Sequence, residues 1–300
     1  MTSAPARIVS ITAIVLLLSS PVLAANQPAM TEQQLTDAIA RLKWLQAGAH
    51  RLPLSNSTLA LPQGYHMVLG EDAKRMFVLS GNPADNSVEA IAISPDFKHE
   101  IVFQSVTEGY ISSDDWNSVN PSEMINAVRI NTDNVNEERR RQGIDEIHVV
   151  GWIQQPTLDR TTNTVYWSIE GSTTRGPIVN SIALRLGRNG YEHLNWIADK
   201  ADYVPIDGQL DVMLRAQSFN PGYRYSDHEP GDRVALYGIA GLVAAVAGAK
   251  AVKVAAGIGL AALLKKFGVI GFAAVAAVLF RLKNLFRRKP YAKTPQSPST

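Results

Sequence analysis

Residues 236–280 are an almost unbroken run of Ala, Val, Leu, Ile and Gly that closes on Arg281, Lys283, Arg287, Arg288 and Lys289. Apolar residues at this density suit lipid better than a water-facing surface, and a basic flank sets which end faces the cytoplasm. The run is not one clean span. Lys250, Lys253, Lys265 and Lys266 cut it into pieces over 234–249, 254–264 and 267–280. Each piece is shorter than the roughly 20 residues that cross a bilayer upright. A lysine at the centre of a span costs about 2.5–3.5 kcal/mol, whereas one near an end can reach back to the interface.

Three arrangements satisfy these constraints. In the preferred one, residues 267 to about 285 cross the membrane. The preceding segment then lies along the interface, with Lys250, Lys253 and Lys265 forming a cationic stripe. A two-helix hairpin would return the basic tail to the exported side, against the positive-inside rule. In an assembly of several copies, the lysines would face a shared polar interior, and Gly238, Gly241, Ala245 and Gly248 would permit close approach of helices. Membrane lipid is thus the first expected partner, and a second copy of the chain another.

The other end carries an export signal. Arg7 precedes an apolar stretch over 8–18, and Val22-Leu23-Ala24 places small residues before a cut after Ala24. The expected organisation is a signal peptide over 1–24, an exported domain over 25–230, a membrane-embedded helical region over 234–285, and a basic disordered cytoplasmic tail over 286–300. The bacterial inner membrane, with the main domain in the periplasm, is the location this organisation implies.

Charge is divided along the chain. Residues 231–300 hold eleven Lys/Arg and one acid, a net of +10, while 25–230 carries a net of −9. A domain this acidic is a poor match for nucleic acid, so no nucleic-acid partner is expected. There is no cysteine, which removes thiol catalysis, lipoprotein acylation and cysteine metal sites.

Within the exported domain, apolar spacing predicts a helix over 31–44, short strands and turns over 52–69, and a helix over 72–79 that stops at Gly81-Asn82-Pro83. Strands are predicted over 88–93 and 100–106 across a Pro95-Asp96 turn. Asn120-Pro121-Ser122-Glu123 is a helix start, with a cap, Pro at the first helical position and an acid at the third; that helix should run to about Gln142. Two hairpins follow, 147–153 with 164–169 and 178–186 with 191–198. The second closes on Gly187-Arg188-Asn189-Gly190. A helix over 205–216 ends the domain. The fold class this predicts is α+β, an antiparallel sheet with helices packed on one side, plus C-terminal membrane helices.

Five motifs recur in this order in one family. They are Gly109-Tyr110-Ile111 before Asp114-Asp115, Asn136-Glu137-Glu138-Arg139-Arg140, Val149-Val150-Gly151-Trp152, Leu194-Asn195-Trp196-Ile197-Ala198-Asp199, and Phe219-Asn220-Pro221-Gly222-Tyr223-Arg224-Tyr225. The chain resembles bacterial membrane-anchored proteins classed under domain of unknown function 2167, over about residues 30 to 285. The resemblance implies a Gram-negative envelope protein with a C-terminal membrane segment. It brings no activity, cofactor or catalytic residue with it.

Two clusters stand out as candidate interaction residues. Glu137, Glu138 and Arg140 belong to a dense charged run that could meet a charged partner; the ordinary reading is a solvated helix face with pairs three and four apart. Asp114 and Asp115 could share a proton or hold calcium, but one pair gives too few ligands and acidic turns are common. The six histidines, His50, His66, His99, His148, His193 and His228, include no pair at metal-binding helical spacing. Trp116, Trp152, Trp167 and Trp196 fit core packing. No hydrolase elbow, phosphate loop or zinc motif occurs, and no cofactor is expected. The sequence therefore favours a membrane-anchored protein whose periplasmic domain binds another envelope component. The alternative is an envelope hydrolase that uses the carboxylates Asp114, Asp115, Glu137 and Glu138.

Overall fold

The computed structural model describes residues 31–80, 82–141, 145–204 and 208–248. The expected signal peptide lies outside the described residues. So do Lys250, Lys253, Lys265, Lys266, Arg281, Lys283, Arg287 and Arg288, and the tail. Among the described residues, no helix is long and apolar enough to cross a membrane.

Two antiparallel sheets organise the chain. The smaller has three strands: β1 (Gly48–Leu52), β2 (Ser57–Leu61) and β10 (Gln217–Phe219), with β2 in the middle. The larger has seven: β3 (His66–Leu69), β4 (Val88–Ile93), β5 (Glu100–Val106), β6 (His148–Asp159), β7 (Thr164–Thr173), β8 (Gly176–Gly187) and β9 (Gly190–Asp199). Its order is β3-β4-β5-β9-β8-β7-β6. Five α-helices complete the described structure: α1 (Glu32–Ala40), α2 (Glu71–Leu79), α3 (Pro121–Arg141), α4 (Gln209–Ala216) and α5 (Ile239–Val246). The α+β class is as the sequence predicts.

Local chemistry sets most boundaries. Thr31 and Gln34 cap α1 reciprocally, with side-chain to backbone bonds of 3.2 and 2.8 Å. The Asn120 side-chain Oδ1 accepts from the amides of Ser122 and Glu123 at the start of α3. The β8–β9 hairpin closes with Gly187 opposite Gly190. Gly190 has φ +149°, and a Cβ there would meet the Val106 carbonyl, so glycine is required at this corner.

The helices do not all lie on one side. The register puts Val102, Asn195, Ile182 and Trp167 on one face of the large sheet, and Phe103, Leu194, Ala183 and Tyr166 on the other. The first face carries α1 and α2 over β3 and β4, and α3 with α5 over β6 to β9. The second face is covered by the small sheet and α4, through Leu52, Leu59, Met213 and Leu210. A seven-stranded sheet that is apolar on both faces needs two covers, and helices over one face alone would leave Phe103, Leu194 and Trp196 wet.

The first apolar piece of the C-terminal run packs within this domain. Ile239, Leu242 and Val243 of α5 are at most 1% exposed, against Val106, Trp167, Leu186 and Tyr191 of the sheet and Met124 and Ile125 of α3. Leu236, one turn earlier, is 66% exposed. We expect Leu242→Ala to destabilise the domain by about 2–5 kcal/mol and Leu236→Ala by less than about 0.5 kcal/mol, measured by urea unfolding of the full chain in detergent. Equal, small effects would place α5 outside the core.

Candidate functional site

The segment that leads into α5 is fastened at one end of the large sheet, and this end holds the most elaborate polar geometry of the described chain. The β8–β9 corner supplies Arg188. Its amide donates to the Tyr223 carbonyl at 3.0 Å, and its guanidinium grips Asp232 through two bonds of 2.8 Å, with Glu229 a further 3.3 Å contact. His228 Nδ1 stands 3.2 Å from the same Asp232 carboxylate. The His228 ring stacks on Tyr110 at 3.8 Å between centroids, and Tyr110 also stacks with Tyr225 at 4.6 Å. The Tyr225 hydroxyl donates to the Ile111 carbonyl at 3.0 Å. The Arg188 bonds hold Asp232 well below the usual carboxylate range, aided by the Glu229 amide. The arrangement clamps residues 219–234 onto the β5 exit, where Tyr110 and Val234 bridge.

Asp115 completes this joint. Its Oδ1 accepts from the Ala240 amide at 3.2 Å, so a side chain from a distant loop caps the N-terminus of α5. A Cβ at Gly238 would collide with the Asp115 carboxylate, so glycine there permits the cap. Beside it opens a cleft of about 550 Å³ between the start of α3 and α5. Asp115, Asn120 and Glu123 form its polar side, and Val119, Met124, Leu236 and Val243 its apolar side. Asp114 is exposed and folded into a local turn, accepting from the Ser112 hydroxyl at 2.8 Å.

The second predicted cluster is elsewhere. Glu137 and Arg140 occupy the far end of α3, whose 21 residues span about 30 Å. Glu137 meets Arg141 at 3.8 Å and Arg140 meets Glu146 at 2.8 Å, all but Glu146 well exposed. Glu138 stands on the same helix. The structure thus separates Asp114 and Asp115 from Glu137 and Arg140 instead of gathering them around one cleft. Arg139, within the same run, is 2% exposed and donates to the Asp145 carbonyl at 2.8 Å. Asn136 beside it exchanges two bonds with the backbone of Ile147. These two residues dock the helix end onto the start of β6.

The buried acids are ones that sequence reasoning missed. Glu89, Glu100 and Glu192 are each no more than 3% exposed. Burial pushes the Glu100 carboxyl up to about 7, and neither of its oxygens has a hydrogen-bond partner. Alternation along β4, β5 and β9 could have flagged them, because each acid falls within a run of core residues. Among the described residues, no group of three or more His, Asp or Glu side chains could hold a metal ion.

These features define an α+β domain with an acidic, partly apolar cleft at the root of its C-terminal apolar run. The chain belongs to the family described as Protein of unknown function (DUF2167), whose model matches residues 45–280. No curated protein matches the sequence. Among solved structures, cyanobacterial PsbP (CyanoP) from Synechocystis sp. PCC 6803, determined in solution, is similar with 10% identity and a TM-score of 0.34. The match covers 60% of this chain and 92% of that one, and a likeness this remote carries no argument.

Two outcomes follow from the geometry. Loss of the cap in Asp115→Ala should cost about 1 kcal/mol, with the loss of protection centred on α5 in hydrogen exchange. For Glu100, the folded value is raised above the ordinary glutamate value of 4.5. Its contribution is therefore fully present below pH 4.5 and lost as pH rises through about 7. Glu100→Gln should match the natural chain near pH 4 and exceed it by up to about 3 kcal/mol at pH 8, read from urea unfolding at both pH values.

Proposed function

We propose that this protein is a membrane-anchored component of the Gram-negative envelope, whose periplasmic domain binds another envelope protein through the Asp115–Glu123 cleft. The observation that carries the reading is the joint itself. Asp115, the Arg188–Asp232 clamp and the buried face of α5 fix the root of the apolar run against the domain. A cleft bordered by exposed Leu236 and by the carboxylates of Asp115 and Glu123 suits a partner segment that is apolar with a basic residue. A protein exported behind residues 1–24 and tied down beyond α5 would hold this cleft close to the bilayer surface. Because α5 packs inside the domain, the proposed membrane-embedded region is 249–285. Residues 267–285 would make the crossing, with Arg281, Lys283, Arg287 and Arg288 on the cytoplasmic side.

Asp114 and Asp115 at one end of α3 and Glu137 at the other give no converging carboxylate set, which favours binding over the hydrolase alternative. The net charge of −9 over 25–230 favours a cationic protein partner over nucleic acid.

The test is fractionation of the full chain beside a chain ending at residue 248. The full chain should sediment with the inner membrane and be cut by protease added to spheroplasts, and the shortened chain should be released with the periplasm. A full chain that stays soluble, or a domain shielded from protease, would overturn the location. A photo-crosslinking residue at Leu236 should capture one envelope protein repeatedly, and one at Glu137 should not. Adducts only with further copies of this chain would replace the heterologous partner with self-association.

A further inference from the structure

Two of the buried acids belong to one site. β4 bulges between Val88 and Ala90, so the register against β5 slips by one residue at Glu89. A bulge turns two successive side chains toward one face, and Glu89 thereby joins Ala90 on the face covered by the small sheet. Glu192 of β9 lies opposite Ser105 of β5. Parity along β9 puts Glu192 on the same face as Leu194. The small side chain of Ser105 separates the two acids and leaves room for their carboxyls to approach across β5. Glu89 is 1% exposed and Glu192 fully buried.

Glu89 does structural work. Its Oε1 accepts from the backbone amides of Leu54 and Ser55, and its Oε2 from Ser55 at 3.2 Å. It thus pins the β1–β2 turn of the small sheet to the large one. Glu192 has no hydrogen bond within 3.5 Å on either oxygen. The neighbouring groups are Ser55 from the turn, Ser105 from β5 and Arg185 from β8. Arg185 pairs with Glu192 across the ladder, yet its guanidinium donates to the carbonyls of Leu214 and Gln217. No described cation is bonded to either carboxyl.

We propose that Glu89 and Glu192 form a proton-dependent latch for the β1–β2 turn. While Glu192 holds a proton, Glu89 keeps the Leu54 and Ser55 amides. When that proton leaves, two negative charges in a dry site repel each other, and the turn lifts away to let water in. Burial raises both carboxyls above the ordinary glutamate value, and the Glu89 charge raises Glu192 further. The folded latch therefore holds its proton through pH values at which free glutamate has lost it, and it opens as pH rises. The Leu54 side chain, already 46% exposed, marks the part that moves.

Hydrogen exchange of the full chain between pH 5 and 8.5, corrected for the intrinsic rate, tests this. Protection of the Leu54 and Ser55 amides should fall by at least about tenfold as pH rises, while the β8 and β9 amides keep theirs. Glu192→Gln, a neutral stand-in for the protonated acid, should keep the turn protected throughout. If that variant does not fold, Glu89→Gln should flatten the same profile, because a single carboxylate has no partner to repel it. A wild-type profile that is already flat would overturn the latch. So would a fall of equal size in the neutral variant, or one shared by β8 and β9.

Discussion

Coverage of the seven-stranded sheet governs the rest of the molecule. Both of its faces carry large apolar side chains, Trp167 and Leu186 on one and Phe103 and Trp196 on the other. Each buried side chain of that size contributes about 1.5–3 kcal/mol only if something excludes water from it. The small sheet and α4 supply one cover, and α1, α2 and α3 most of the other. What they leave open over Tyr191, Val106 and Leu186 is closed by α5, taken from the beginning of the apolar C-terminal run. A stretch whose composition suits lipid is used here as core.

That use explains why so much polar geometry gathers at one end. A helix that must cover the sheet has to be delivered in register, and residues 219–238 deliver it. Arg188 holds Asp232, His228 and Tyr225 stack with Tyr110, and Asp115 reaches over to cap α5. The cleft beside Asp115 belongs to the same arrangement, because Asp115, Ser118 and Val119 line it together with the start of α3 and the start of α5. The proposed docking site and the root of the proposed anchor are therefore one structure. A partner that binds the cleft would bear directly on the segment that leads to the apolar run.

Sequence periodicity carried much of the fold. The Asn120–Glu123 start of α3, the strands flanking Pro95-Asp96 and the Asn189-Gly190 hairpin all rest on interactions within a few residues, and those are legible one stretch at a time. The solvated pairing of Glu137 with Arg141 was legible for the same reason. The distribution of helices over two faces was not, because it depends on which strands become neighbours: β9 pairs with β5 across 84 or more intervening residues. Asp115 as a cap for α5 depends on a contact between positions 125 residues apart. The Glu89–Glu192 pair needs both a bulge in β4 and the β5–β9 register, and local spacing reports neither. His228 and Asp232 were visible four apart, but Arg188, which gives Asp232 its strongest bonds, comes from another hairpin.

The central claim is that α5 belongs to the domain and not to the membrane segment. Hydrogen exchange of the full chain in detergent, across a urea series that unfolds the domain but leaves the micelle intact, tests it directly. The account predicts that amides of α5 lose protection at the same urea concentration as those of β8 and β9. Protection of α5 that persists after the sheet has unfolded would assign the helix to the lipid and contradict the account.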